Sequence, residues 1–244
     1  MPGVSRPALP PFPRAALLLD MDGTLLDIAP APDRVLVPAG LLETLRRVRS
    51  CLGGALAVVS GRPIEQLEAL LGDAPFALAG EHGGVLRRRP AAAEERVPLP
   101  LPPPAWVAAA AAIAAAHPGV LLETKQRGFV LHYRAVPDLG PLLHEAVRTL
   151  VGDSPDFTLL AAKMAWEVTP AGADKGVGVR LLMQQPPFAG RLPVFVGDDV
   201  TDVDGIEAAR ALGGAGMLVA DAFGDAAGVR AWLGRIAAAG AWPG

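Results

Sequence analysis

The chain has one cysteine in 244 residues, no run of eighteen apolar residues and no excess of basic charge. A single thiol cannot close an internal disulfide, so folding needs no oxidising compartment. Cys51 follows a helix-like segment and reads as a small buried hydrophobe. The longest apolar candidate, Val107 to Ala116, stops at His117-Pro118-Gly119 and falls short of a membrane span. The apolar run Ala15 to Leu19 is too short for a secretory leader and is cut by Asp20. The expected compartment is therefore cytoplasmic, with no membrane partner. A formal net charge of −3, with no basic block beyond Arg87-Arg88-Arg89, argues against nucleic acid or an anionic membrane surface. That arginine triplet reads as a solvated hairpin.

What remains is apolar: 51% of the residues are hydrophobic, enough for one large domain or two modest ones. Met1 to Pro13 is Pro-rich and aperiodic, and is expected to be a flexible tail. Short apolar runs suited to buried parallel strands recur at Ala15–Leu19, Leu56–Val59, Phe76–Ala79, Val194–Val196 and Met217–Val219. Helical spacing at Leu41–Val48 and Ile64–Leu71, the latter opened by Pro63, completes an α/β signature. After Arg89 the composition shifts to a Pro- and Ala-rich loop and an alanine helix. A hairpin from "LLETKQ" and "GFVLHYR" follows, then a helix over Leu139–Val151. "FTLLAAKMAWEV" gives a second strand pair turning near Ala161-Ala162. The expectation is a core over 14–100 and 172–244, with a smaller α/β domain inserted over 101–171.

In open parallel sheets, ligands bind beyond the carboxyl ends of the strands. Four predicted strands end there in polar groups: Asp20 and Asp22, Ser60, Glu81-His82, and Asp198-Asp199. Gathering Asp20, Asp22 and Asp198 creates repulsion that a proton or a cation must relieve. Hard oxygen ligands without His or Cys companions suit Mg²⁺. Gly23 lets the chain turn sharply out of the strand, and Thr24 offers a hydroxyl and exposed N–H groups to an anion. Ser60, Gly61 and Arg62 repeat the design after the second strand. Asp174 is placed to cap a helix that starts at Lys175. A lysine in a first helical turn opposes the macrodipole, which suggests a task near phosphate.

Taken together, "DMDGT", Ser60, Lys175 and "GDDVTD" resemble, in order, the four motifs of the haloacid-dehalogenase-like (HAD) superfamily. Within it, "SGR", "GEHG", "ETK…HYR", "KMAWEV" followed by "DKG", and "GDDVTD" resemble the trehalose-phosphatase family. The resemblance implies a Rossmannoid parallel-sheet core with an inserted α/β cap of the C2B type. It also implies Asp20 as nucleophile, Asp22 as general acid and base, and Ser60 and Lys175 as phosphate clamps, with Gly23, Thr24 and Gly61 around the phosphate. Mg²⁺ would be held by Asp20, Asp22 and Asp198, with Asp199 and Asp202 behind them. Sugar hydroxyls would meet Arg62, Glu81 and His82 from the core and Glu123, Lys125, Lys163 and Glu167 from the cap. The last four fall at spacings that place Glu123 with Lys125, and Lys163 with Glu167, on one strand face. The chain departs from the family pattern at Met21, Val203 and Ile206, none an expected ligand.

The implied reaction is Mg²⁺-dependent hydrolysis of trehalose 6-phosphate through an aspartyl-phosphate, by a monomer paired in function with a trehalose-phosphate synthase. Sucrose 6-phosphate, a glucosylglycerol phosphate and a mannosyl-3-phosphoglycerate stay open as substrates. So do a catalytically silent sugar-phosphate-binding regulator and a mutase.

Overall fold

The computed structural model describes residues 7–29, 34–125, 127–172 and 174–243. Residues 1–6 of the expected tail and Gln126 of the expected hairpin lie outside the described residues. The chain divides into two units, Met1–Val97 with Asp174–Gly244, and Pro98–Ala173.

The first unit is organised by β1 (Ala15–Leu19), in which every side chain is buried, as a strand covered on both faces requires. In chain order follow α1 (Leu41–Cys51), β2 (Leu56–Val59), α2 (Ile64–Leu71), β3 (Ala77–Gly80), β4 (Val85–Arg87) and β5 (Glu95–Arg96). After the second unit come α5 (Lys175–Leu182), β10 (Leu192–Gly197), α6 (Val203–Ala211), β11 (Ala215–Leu218), α7 (Val219–Ala222) and α8 (Ala226–Ala239). The sheet order is β11-β10-β1-β2-β3-β4-β5. The pairs from β11 to β3 are parallel, and β4 and β5 add an antiparallel edge. Register matters most for function. Leu19 sits opposite Val196 on one side and Val58 on the other, and Val59 sits opposite Ala79. The strands therefore end together, and the residues that follow them share one edge.

The second unit holds α3 (Pro104–Ala116), β6 (Leu121–Lys125), β7 (Gly128–His132), α4 (Gly140–Val151), β8 (Phe157–Ala162) and β9 (Ala165–Pro170). Its antiparallel sheet runs β6-β7-β9-β8, with α3 against β6 and β7 and α4 against β8 and β9. Phe129, Leu131, Trp166, Val168 and Phe157 alternate onto the helix side and meet Ala110, Leu143 and Val147. The opposite face carries Glu123, Lys125, His132 and Glu167, since Glu123 pairs with Val130 and Val130 with Glu167. Directly paired residues of an antiparallel ladder share a face.

Four expectations need correction. The β8–β9 turn falls at Lys163-Met164, because Met164 takes a left-handed φ of 58° and Ala162 pairs with Ala165. Cys51 is exposed: α1 buries Leu41, Leu45 and Val48, and the chain then turns so that Leu52 enters the core instead. The arginine triplet is not uniformly solvated. Arg87 is buried in β4 beside Glu68, and Arg88 donates to Glu95 and to the Leu181 carbonyl. Finally, the described part of the tail is packed. Phe12 meets Trp242 edge-on at 4.8 Å, Trp242 stacks on Trp232 at 5.5 Å, and the Trp242 indole donates to the Pro10 carbonyl at 2.7 Å. Burying two aromatic rings outweighs the extended, proline-rich composition that had suggested fraying.

That packing makes Trp242→Ala destabilising by about 2 kcal/mol, less than for a fully buried aromatic. Urea unfolding measures the loss, and trypsin cleavage after Arg14 is expected to quicken. An unchanged midpoint would mean that residues 7–13 are not docked.

Candidate active site

The edge where β1, β2, β3 and β10 end carries the polar groups. Asp20 follows β1 directly; its N–H donates to the Val196 carbonyl at 2.9 Å and its side chain is buried. The chain then folds back on itself, with Leu25 and Leu26 N–H both donating to the Met21 carbonyl and Gly23 N–H to the Leu26 carbonyl. Gly23 is required here twice over. Its φ of 82° suits glycine, and a Cβ there would overlap the Asp198 carboxylate. This is how the loop after β1 approaches the loop after β10. Thr24 Oγ1 is buried without a hydrogen-bond partner among the described residues, the state expected of a hydroxyl reserved for a ligand oxygen.

Lys175 sits at the start of α5, where Asp174 caps the helix by accepting from the Val177 N–H at 2.7 Å. Its ammonium is buried between two carboxylates, donating to Asp20 Oδ1 at 2.7 Å and Asp202 Oδ1 at 2.6 Å. Asp202 Oδ2 accepts from the Asp198 and Asp199 N–H groups, each at 3.0 Å. Asp199 and Asp202 also form a reciprocal capping box at the turn that leads into α6. Gly197 is forced by this arrangement, since a Cβ there would overlap Asp202.

Oxygens of Asp20, Asp198 and Asp202 lie within 4.8 Å of one another, and Lys175 supplies one positive charge against these three carboxylates. Burial, and then Asp202, push the Asp20 carboxyl well above the ordinary range, with Lys175 pulling the other way. Burial opposes the charge on Lys175, but Asp20 and Asp202 outweigh it and hold the ammonium above its ordinary value. Hard oxygen donors gathered this closely, beside the Thr24 hydroxyl, fit a small divalent cation.

Ser60 follows β2, and its Oγ accepts from the Arg62 N–H at 3.2 Å. Its carbonyl accepts from the His82 N–H, and the Arg62 carbonyl from the Glu81 N–H, each at 3.0 Å. Glu81, His82 and Gly83 take φ values of 50°, 55° and 90°, a left-handed run that costs energy at its two non-glycine positions. Two contacts hold it. The His82 ring lies where it would crowd a Gly61 Cβ, and Gly83 packs so close to α5 that a Cβ on it would overlap the Asp174 carbonyl and the Gly178 N–H. The strained turn thus seats the helix that carries Lys175.

One expected ligand is placed differently. The Asp22 side chain is not in the acidic cluster; it faces Arg62, with Nε to Oδ2 at 2.6 Å and Nη2 to Oδ1 at 2.8 Å. Asp202, expected behind the ligands, lies in the cluster with Asp20 and Asp198. Sequence spacing offered no signal for the Arg62–Asp22 pair, since nothing in "SGR" names a partner forty residues earlier. The four acids of "GDDVTDVD" likewise gave no means of telling Asp202 as the residue that meets Lys175.

In the second unit, Lys125 Nζ donates to Glu167 Oε1 at 2.6 Å and His132 Nε2 lies 2.9 Å from Glu123 Oε2. The ring beside it lowers the Glu123 carboxyl below its ordinary range. These four share the helix-free face. Lys163 sits in the exposed β8–β9 turn, so strand alternation does not align it with Glu167. His132 is a polar-face residue that the "HYR" motif contained without being assigned a role.

A family model described as Trehalose-phosphatase matches residues 18–223. A probable trehalose-phosphate phosphatase from Sinorhizobium fredii (strain NBRC 101917 / NGR234) is 39% identical over 238 residues, covering 91% of this chain and 86% of that protein. The trehalose-6-phosphate phosphatase of Escherichia coli (strain K12) is 36% identical over 208 residues, covering 82% and 75%. Among solved structures, the C-terminal domain of trehalose-6-phosphate phosphatase from C. albicans superposes with a TM-score of 0.79 over 93% of both chains, at 24% identity. That likeness is one of fold.

Gly23→Ala tests the acidic cluster. Left-handed strain of about 1–3 kcal/mol and displacement of Asp198 are expected to weaken divalent-cation binding at least about ten-fold, the equivalent of roughly 1.4 kcal/mol. Titration calorimetry measures the affinity. Wild-type affinity in the variant would remove Asp198 from the cation site.

Proposed function

The chain belongs to the trehalose-phosphatase family, and we propose that it hydrolyses trehalose 6-phosphate to trehalose and inorganic phosphate. The observation that carries this reading is the buried Lys175 bridging Asp20 and Asp202 beside Asp198. It is an arrangement with a positioned carboxylate, a fixed cation and room for a metal at one sheet edge.

Asp20 attacks phosphorus. Its Oδ1 is held by Lys175, which leaves the other oxygen to meet phosphorus in line with the leaving sugar oxygen. Asp22 gives its proton to that oxygen as the P–O bond breaks, leaving an aspartyl-phosphate on Asp20. Asp22, now a carboxylate, takes a proton from the water that attacks the acyl-phosphate, and free Asp20 and inorganic phosphate result. Lys175 and the Ser60 and Thr24 hydroxyls steady the phosphoryl oxygens through both steps. Mg²⁺, held by Asp20 and Asp198, would neutralise charge on those oxygens. Asp202 acts one layer back, aiming Lys175 and anchored by two backbone amides.

The charged face of the second unit supplies the sugar specificity in this reading. Glu123, Lys125 and Glu167 alternate acid and base, which matches neighbouring hydroxyls as acceptors and donors. Lys163 adds a donor from the β8–β9 turn, and Glu81 and His82 contribute from the first unit. A trehalose-phosphate synthase would furnish the substrate.

Asp20→Asn is expected to lower phosphate release from trehalose 6-phosphate by about three orders of magnitude or more, with the unfolding midpoint nearly unchanged; turnover near wild type would rule out Asp20 as nucleophile. Lys163 is exposed, so Lys163→Ala leaves the fold alone. It is expected to cost trehalose 6-phosphate on the order of ten-fold in kcat/KM while sparing p-nitrophenyl phosphate. Equal losses on both substrates would take Lys163 out of the sugar site.

A further inference from the structure

We propose that Arg62 is a positioning residue for Asp22, and that its guanidinium fork sets the Asp22 carboxylate for the second half of the reaction, in which water is activated against phosphorylated Asp20. The inference rests on the phosphatase reading above and assigns Arg62 a task other than sugar binding.

The fork is a matched pair of short contacts, Nε to Oδ2 at 2.6 Å and Nη2 to Oδ1 at 2.8 Å. Two parallel charge-assisted bonds fix both the place and the plane of a carboxylate, which a lysine cannot do. Asp22 needs such support. It stands on the loop between the Asp20 that ends β1 and Gly23, where the backbone alone leaves its rotamer open.

Arg62 is itself anchored at several points. Its N–H donates to Ser60 Oγ, its carbonyl accepts from the Glu81 N–H, and its Nη1 donates to Gln66 Oε1 at 3.2 Å. At least three of its five N–H donors are therefore committed within the protein, to Asp22 and Gln66. The exposures differ in the sense the task needs. The Arg62 side chain is 13% exposed and the Asp22 side chain 34%, so the support is sheltered and the carboxylate stays open to water. The fork takes one lone pair from each Asp22 oxygen, and acceptor capacity remains on both.

The step it serves is balanced by the groups named. A water oxygen bonds to phosphorus, the bond between phosphorus and the Asp20 oxygen breaks with its electrons returning to the Asp20 carboxylate, and the water proton passes to Asp22. On trehalose 6-phosphate that proton is the one Asp22 gives to the next leaving sugar oxygen. An aryl phosphate with a good leaving group forms the phosphoenzyme without an acid, but its hydrolysis needs the base as much as any other substrate does.

Stopped-flow turnover of p-nitrophenyl phosphate with Mg²⁺ separates the two steps in Arg62→Ala. Expected are a burst of p-nitrophenolate stoichiometric with active sites, then a steady-state rate lowered about ten-fold or more, with KM falling alongside it because phosphoenzyme accumulates. Phosphoenzyme is expected to accumulate on acid quench, and added guanidinium ion to restore part of the steady rate. Arg62→Lys keeps the charge and loses the fork, and the same burst with a smaller deficit is expected of it; it carries the test if Arg62→Ala does not fold. Steady-state loss without a burst, a change confined to raised KM, or turnover equal to wild type would each overturn the inference alone. A wild-type chain that releases no phosphate from trehalose 6-phosphate or p-nitrophenyl phosphate would overturn the phosphatase reading, and this inference with it.

Discussion

One buried ammonium decides how the first unit is assembled around its site. Lys175 lies between Asp20, which ends β1, and Asp202, which opens α6, and thereby ties three separate segments of the chain together. Removing Lys175 would leave Asp20 and Asp202 facing each other in a region with almost no solvent, the situation in which breaking a buried ion pair becomes costly. The pair is not self-sufficient either. Lys175 meets two of three neighbouring carboxylates, and their gathered oxygens suit the cluster to hold a further cation.

Much of the surrounding backbone follows from the need to bring these groups so close. Gly23 and Gly197 are the points where a side chain would occupy the space of Asp198 and Asp202. The left-handed turn at Glu81 and His82 stores strain, and the packing of Gly83 against α5 holds it there. The strand register supplies the coarse alignment, and the glycines permit the last ångströms. Strain and empty space at a few positions are thus the cost of charges concentrated at one edge.

The buried strands were legible because parallel strands covered on both faces must be continuous apolar runs, and Ala15–Leu19 and Leu56–Val59 have no other reading. The β8–β9 turn was less so, because Met164 takes a conformation usually left to glycine and nothing in its side chain announces it. The packed segment before β1 was hidden for a related reason. Its partners Trp232 and Trp242 lie at the other end of the chain, and only the tertiary structure brings Phe12 to them. At the site, the motifs named Asp20, Ser60, Lys175 and Asp198, but not who pairs with whom. Pairing is a property of distance in space, so the Arg62–Asp22 fork and the Asp202 bridge emerged only from geometry.

Asp20 and Asp22 stand two positions apart in the chain, yet meet two different cations. Asp20 is sealed against an ammonium, among other carboxylates that raise its proton affinity, while Asp22 is held by a guanidinium at a site still open to water. A point charge such as lysine concentrates its field without dictating orientation, whereas the arginine fork dictates orientation above all. In the proposed reaction the first suits a group that must form a bond to phosphorus under a compensating charge, and the second suits one that must hold still while a proton passes. Two identical side chains thereby acquire separate tasks from their partners, and the choice of lysine for one and arginine for the other carries as much of the chemistry as the aspartates do.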